Sequence, residues 1–215
     1  VGNLHLSHCP KLTTIHNGLS VVGNLHLSHC PNLKKLPQDL TVGEDLDLSH
    51  CPMLTTLPKN VLVEGNLDLS HCSNLNTLAQ GLRVGGNLDL NRCPRLITLP
   101  QRLRVGGTLI VALCPNLLTL PQDLTIGRDL LVSGCSSLIE FPDWVFELSK
   151  NKRVTAISTG ISQQLMDEYN ERQNAEGYTG PIIALSIHSF DDCAVSDLIN
   201  SIMYHCGSKT YETYL

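Results

Sequence analysis

The sequence predicts an α/β solenoid: a curved sheet of short parallel strands, an extended or 3-10 convex side, and a small C-terminal cap of helix and strand. Three observations carry this expectation. Seven of the nine cysteines, Cys9, Cys30, Cys51, Cys72, Cys93, Cys114 and Cys135, fall 21 residues apart. Columns of aliphatic residues keep the same step, as in Leu4, Leu25, Leu46, Leu67, Leu88, Leu109 and Leu130. Every Phe, Tyr and Trp lies at position 141 or later, so a different kind of core begins where the ladder ends. The chain therefore divides into a solenoid of about seven 21-residue repeats over 1–142 and a cap with a helical connector over 143–215.

Within one repeat, Leu46 to Ser49 alternates apolar and polar residues. This pattern predicts a short strand with Leu46 and Leu48 inward and Asp47 and Ser49 outward. Cys51 and Pro52 mark the turn that follows. Pro37, Pro58, Pro100, Pro121 and Pro142 recur after a Leu or Phe; each fixes φ and forbids a regular helix, so the return side is extended or a single tight turn. Gly23, Gly65, Gly86 and Gly107 precede the strand, where a residue without Cβ reverses the chain cheaply. No catalytic or metal site needs seven evenly spaced thiols, whereas a stacked coil needs a small buried group at each corner. Rungs about 4.8 Å apart do not by distance exclude a bridge, but an odd ladder of parallel side chains favours free thiols.

Composition narrows the function classes. The chain has 215 residues, a formal net charge of −5 and a pI near 6.0. With no block of Lys and Arg it is poorly suited to neutralising many phosphates, so nucleic acid is not an expected partner. The longest apolar runs, such as Leu109 to Leu113, are too short to span a bilayer. Over 1–142 acidic and basic residues balance at ten each, and the net charge comes from the remainder.

The pattern L-x-L-x-x-C-P-x-L-x-x-L-P resembles leucine-rich repeats, in the variant with Cys at the corner. Its Leu-Pro pair and period near 21 are similar to the short repeats of secreted bacterial effectors. The segment Ser133 to Leu138 resembles plant immune-receptor repeats instead. Ile161 to Ser189 is similar to the connector between repeats and catalytic domain in bacterial ubiquitin ligases of the IpaH/SspH type. That resemblance implies secretion into the reducing cytoplasm of a host cell and selection of a host protein by the repeats. It also implies a following ligase domain with a Cys in a C-x-D motif. This chain has no C-x-D; Cys193 lies in Cys-Ala-Val-Ser-Asp. The chain itself is expected to be a protein-interaction module of a secreted bacterial effector and not an enzyme; the alternative readings are the substrate-recognition region of a truncated ubiquitin ligase and a fragment of an immune-type sensor.

Function should reside in the outward columns of the strands, since concave repeat faces bind proteins through contacts spread over several rungs. These are His5, His26, Asp47, Asp68, Asp89, Ile110, Leu131; Ser7, Ser28, Ser49, Ser70, Asn91, Ala112, Ser133; and His8, His29, His50, His71, Arg92, Leu113, Gly134. The expected partner-binding residues are Asp68, His71, Asp89, Arg92, Ile110, Leu113 and Leu131. The apolar members of the sixth and seventh rungs read equally as a site covered by the protein's own C-terminal segment or as scattered surface residues. Four stacked histidines beside Asp47 and Asp68 suggest zinc or nickel ligands, but an open ladder supplies no closed cage, so no metal and no cofactor is expected. Clustered imidazoles predict a partner affinity that changes between about pH 5.5 and 7.5. Ser70, His71 and Asp68 imitate a hydrolase set without a pocket or an oxyanion hole. No catalytic residue is assigned.

After Pro142, Trp144, Val145, Phe146 and Leu148 are expected to cover the last rung. Ser162 is a plausible N-cap for a helix carrying Leu165, Met166 and Tyr169, with Gly177 as its stop. A strand is expected over Pro181 to Ile187. A second helix, capped by Asp191 or Asp192, should place Val195, Leu198, Ile199, Ile202 and Met203 on one side. Cys193, Cys206, His188 and His205 match no common zinc spacing, and Cys193 would react only with a lowered pKa. Val1 enters directly at a strand, so the chain reads as a fragment whose first rung, with Leu4 and Leu6, can pair with another copy.

Overall fold

Each 21-residue turn lays one two-residue strand beside the corresponding strand of the turn before it. The computed structural model describes residues 2–186. Front strands run from Leu4–His5 through Leu46–Asp47 and Leu88–Asp89 to Leu130–Leu131, seven in all, every neighbouring pair parallel and in register. Leu4 faces Leu25, Leu25 faces Leu46, and the series continues without slippage. This is a parallel β-solenoid of about seven turns, an architecture consistent with a repeat protein of leucine-rich type.

The return side is extended, as the prolines require, and it forms a sheet of its own. Six two-residue strands, from Ser20–Val21 to Thr125–Ile126, pair in parallel with the same step. Isolated bridges such as Thr14 to Lys35 and Thr56 to Thr77 tie the segment between the two sheets. Front and back both rise by one strand spacing per turn, about 4.8 Å.

The core is one continuous spine. Leu25, Leu27, Cys30 and Leu33 are fully buried, and so are their counterparts in the next turns. In the first rung Leu4, Leu6, Cys9 and Leu12 are only half-buried, which shows how much of each turn's burial comes from the turn beside it. All seven ladder cysteines are free thiols. Their identity has a second cause besides size: each Sγ from Cys30 to Cys135 donates to a backbone carbonyl of the preceding turn. Cys51 reaches Leu27 at 3.3 Å and Cys72 reaches Leu48 at 3.2 Å. Burial pushes the Cys51 thiol up to about 11 and Cys72 to about 12, so the proton needed for that bond stays on sulfur.

A second polar ladder runs beside the thiols. The side-chain oxygen of Asn3 accepts the backbone N–H of Asn24, Asn24 that of Asp45, Asp45 that of Asn66, Asn66 that of Asn87, and Asn87 that of Thr108, at 2.7–2.9 Å. This ladder explains the glycines before the strands differently from the turning role expected of them. Gly23, Gly65, Gly86 and Gly107 do not adopt left-handed φ; a Cβ there would collide with the side-chain oxygen of Asn3, Asp45, Asn66 and Asn87 respectively. They are glycines because the next rung passes too close.

The C-terminal part continues the sheet. Arg153–Ile157 pairs in parallel with Leu130–Leu131, and Ile182–Ser186 pairs with Arg153–Ile157, giving nine front strands. The step here is 24 residues, since Leu130 faces Val154, which is why a repeat read at 21 does not reveal this strand. Asp129 makes the junction: it accepts the Arg153 backbone N–H at 2.8 Å and pairs with its guanidinium at 2.9 Å. As expected, Val145 and Phe146 are buried against the last rung, and Trp144 Nε1 donates to the Pro121 carbonyl. The expected helix is present as Gln163–Asn174, with Ser162 Oγ accepting from Leu165 N–H and Met166 buried. It stops three residues before Gly177, whose positive φ serves the following turn. The segment expected to form a second helix, with Asp191 and Asp192, lies outside the described residues, as do Cys193, Cys206, His188 and His205. Among the described residues no helix is long and apolar enough to cross a membrane.

Replacing Asn66 by Leu removes the acceptor of the Asn87 N–H without shortening the side chain. Urea unfolding is expected to show a loss of about 1–3 kcal/mol, the cost of an unsatisfied part-buried donor. The exposed Asn76→Leu should shift stability by no more than ~0.5 kcal/mol; equal effects in both variants would remove the ladder from the account.

Candidate protein-docking face

The front strands are so short that three outward columns already include the corner leading to Cys. In the first column His5, His26, Asp47, Asp68 and Asp89 stand in register, one per rung. Like charges directly opposite one another are unfavourable, and the carboxylates find local work. Asp47 Oδ1 accepts the Ser49 N–H at 2.9 Å and its hydroxyl at 2.7 Å; Asp68 accepts the Ser70 N–H and Asp89 the Asn91 N–H, each at 2.8 Å. Each Asp thus closes a turn two residues on, the ordinary Asx arrangement. In the first two rungs His occupies the position, and the Ser7 and Ser28 hydroxyls bond to each other at 2.9 Å.

The third column is held by backbone conformation. His8, His29, His50, His71, Arg92 and Leu113 all have φ between 54° and 60°, and Gly134 has φ 77°. A left-handed residue is needed at every front corner, a state that ordinary side chains resist and glycine accepts. The histidine rings stack as a result: His8 on His29 at 4.6 Å between centroids, His29 on His50 at 4.3 Å, His50 on His71 at 4.2 Å, all within 12° of parallel. Parallel rings aim their nitrogen lone pairs in parallel rather than at one point. Among the described residues no group of three or more His, Cys, Asp or Glu side chains is placed to hold a metal ion.

Electrostatics follow the stacking. Burial first, then neighbouring His50, Arg92 and His29, lowers His71 to about 4. His50 is lowered by burial and by His29, with Asp47 opposing. The change in charge at His71 therefore falls below the expected window of about pH 5.5 to 7.5. At neutral pH the inner end of the column is a neutral, stacked hydrogen-bonding strip.

The seven expected binding residues separate into two groups. Asp68, His71, Arg92 and Leu113 are half-buried on adjacent rungs and form one continuous area. Asp89 is 7% exposed, whereas Ile110 and Leu131 are 0% exposed. Ile110 and Leu131 lie on the outward side and take no part in the interior cluster, yet they are closed to solvent. They offer no free surface, which corrects the expectation of an accessible apolar spot there; the accessible face is polar and centred on the earlier rungs. Ser70, with Asp68 accepting from its backbone N–H, is itself nearly buried at 5% exposure. The left-handed corner was missed in the sequence, although Gly134 aligned with His and Arg in a 21-residue column is the signal that betrays it.

No family model, no curated protein and no solved structure was found to match this chain.

Because the folded state holds His71 below its ordinary value of 6.5, the unfolded chain binds more protons between about pH 4 and 6.5. Stability should therefore fall as pH drops through that interval, and the contribution of His71 should be constant above it. Urea midpoints measured at intervals from pH 7.5 to 4 should fall less steeply in His71→Asn, which keeps a residue tolerant of left-handed φ. Parallel pH profiles for the two proteins would disprove the link.

Proposed function

We propose that this chain is a protein-interaction module that holds a host protein on the front face of its solenoid, as part of an effector that a bacterium secretes into the host cytoplasm. One observation carries the reading. Over its first five rungs the front sheet presents three in-register columns of polar side chains, most of them half-buried or exposed, a broad regular wall rather than a closed cleft. Such a wall favours contacts spread over many residues, with a few anchors giving most of the affinity. Asp68, His71, Arg92 and Leu113 are those anchors. Capture of partner from host lysate, quantified by titration, should weaken at least about tenfold in the Asp68→Arg, Arg92→Glu double variant. Leu118→Ser, an exposed position outside the front columns, is the control and should bind normally; retained binding by the double variant would refute this assignment.

A second reading concerns the longer parent. A Ser162-capped helix Gln163–Asn174 leads into Ile182–Ser186, the order of elements in the connector that this segment resembles in IpaH/SspH-type ubiquitin ligases. On this reading the repeats select the substrate and a following domain transfers ubiquitin. The full-length parent should then discharge a ubiquitin-charged conjugating enzyme, and the present chain should not. No discharge by the parent would leave the docking module alone.

A further inference from the structure

The back sheet carries a feature that stacking does not require. Its outward column runs Ser20, Thr41, Leu62, Arg83, Arg104, Thr125, with Val21, Val42, Val63, Val84, Val105 and Ile126 buried beneath. Ser, Thr and Leu all fit this corner, so the coil does not demand arginine there. Arg83 and Arg104 nevertheless face each other in register, an arrangement of like charges that costs stability. Both side chains are exposed, and among the described residues neither guanidinium has an ion-pair or hydrogen-bond acceptor.

Beside this pair lies a shallow groove whose lining includes Gly85, Gly106 and Gly127, with Leu62 and Glu64 at one end and Thr125 at the other. The glycines are set by the coil, because a Cβ on any of them would strike the carbonyl of the preceding turn. Their backbone N–H groups already donate to Val63, Val84 and Val105, so the floor offers room rather than donors. The guanidiniums supply the recognition chemistry. Between residues 83 and 128 there are six arginines and no lysine, against only Asp89 and Asp123, and Asp89 is nearly buried on the front face. Of the residues lining the groove, Arg83 and Arg104 are basic and only Glu64, at one end, is acidic, so its centre is positive within a chain of net charge −5.

We propose that this groove is a second docking site, independent of the front face, that receives an extended acidic segment of another protein. Arg83 and Arg104 bind its carboxylates through paired N–H donors, as the planar guanidinium does best. Three glycine rungs at about 4.8 Å give a bare floor roughly 10–14 Å long, room for about three or four extended residues. Two observations favour a peptide over a nucleic acid. No Phe, Tyr or Trp precedes position 141 and the stacked histidine rings lie on the front face, so the groove offers no ring platform for stacking bases, and two guanidiniums are too few to neutralise a long row of phosphates.

The test is fluorescence anisotropy with a labelled decapeptide of alternating Glu and Ser, a matched Gln-Ser peptide and a labelled ten-nucleotide thymidine strand, at low and physiological salt. Saturable binding of the Glu peptide only, weakened at least about tenfold in Arg83→Gln, Arg104→Gln and by added salt, is the expected result. Arg95→Gln, outside the groove, should bind normally, and Arg83→Lys, Arg104→Lys should recover part of the affinity. Far-ultraviolet circular dichroism and the urea midpoint confirm that each variant is folded. Absence of Glu-peptide binding, equal binding of the Gln peptide, unchanged affinity in the folded Gln double variant, or preference for the oligonucleotide each overturns the proposal. Failure here leaves the front-face reading intact, because that test uses other residues and another face.

Discussion

Every turn of this protein must satisfy its polar groups on the turns beside it. Strands of two residues close few hydrogen bonds of their own, so the chain repeats the same donors and acceptors every 21 residues and lets them meet across the gap. Backbone pairs, the Cys S–H to carbonyl contacts and the Asn side-chain ladder are three versions of one requirement: a buried donor needs a partner wherever water is excluded. The contrast between half-buried Leu4 and fully buried Leu25 shows the same dependence in apolar terms. A single turn has almost no interior; two adjacent turns make one.

This constraint acts on the inside and leaves the outside free. Inward columns are Leu, Val, Ile or Cys in nearly every turn, while the outward front column passes from His through Asp to Ile and Leu, and the back column carries Ser, Thr, Leu and Arg. Even the left-handed front corner accepts His, Arg, Leu and Gly, although only Gly does so without backbone cost. Chemistry varies from rung to rung on a wall whose geometry does not vary. That combination suits recognition by distributed contacts far better than it suits catalysis, which needs converging groups and excluded water.

The C-terminal part changes the rule without breaking the sheet. A 24-residue step inserts the strand Arg153–Ile157, and a helix fills the next crossover to Ile182–Ser186. Aromatic residues enter here because the junction packs a helix and a 3-10 turn against the last rung, spaces that one small corner residue cannot fill. Tyr169 shows the difference: it lies 5.8 Å from Phe141 and 4.8 Å from Phe146, and its hydroxyl accepts the Phe141 N–H. Asp129 accepts a backbone N–H as the ladder residues do and also pairs with the Arg153 guanidinium.

Periodicity alone determined the solenoid, the inward Leu and Cys columns, the extended return side and the Ser162 helix, because each depends on spacing and residue type along one chain. Tertiary structure decided what depends on a neighbour 21 or 24 residues away. Gly86 is glycine because Asn66 stands beside it, Cys72 stays protonated because the neighbouring turns bury its sulfur, and Arg153 is a strand residue because Asp129 meets it. Ile110 and Leu131 belong to the outward columns by their position in the sequence, yet their burial emerges only in three dimensions, since a residue's pattern says which way it points and not what lies beyond it.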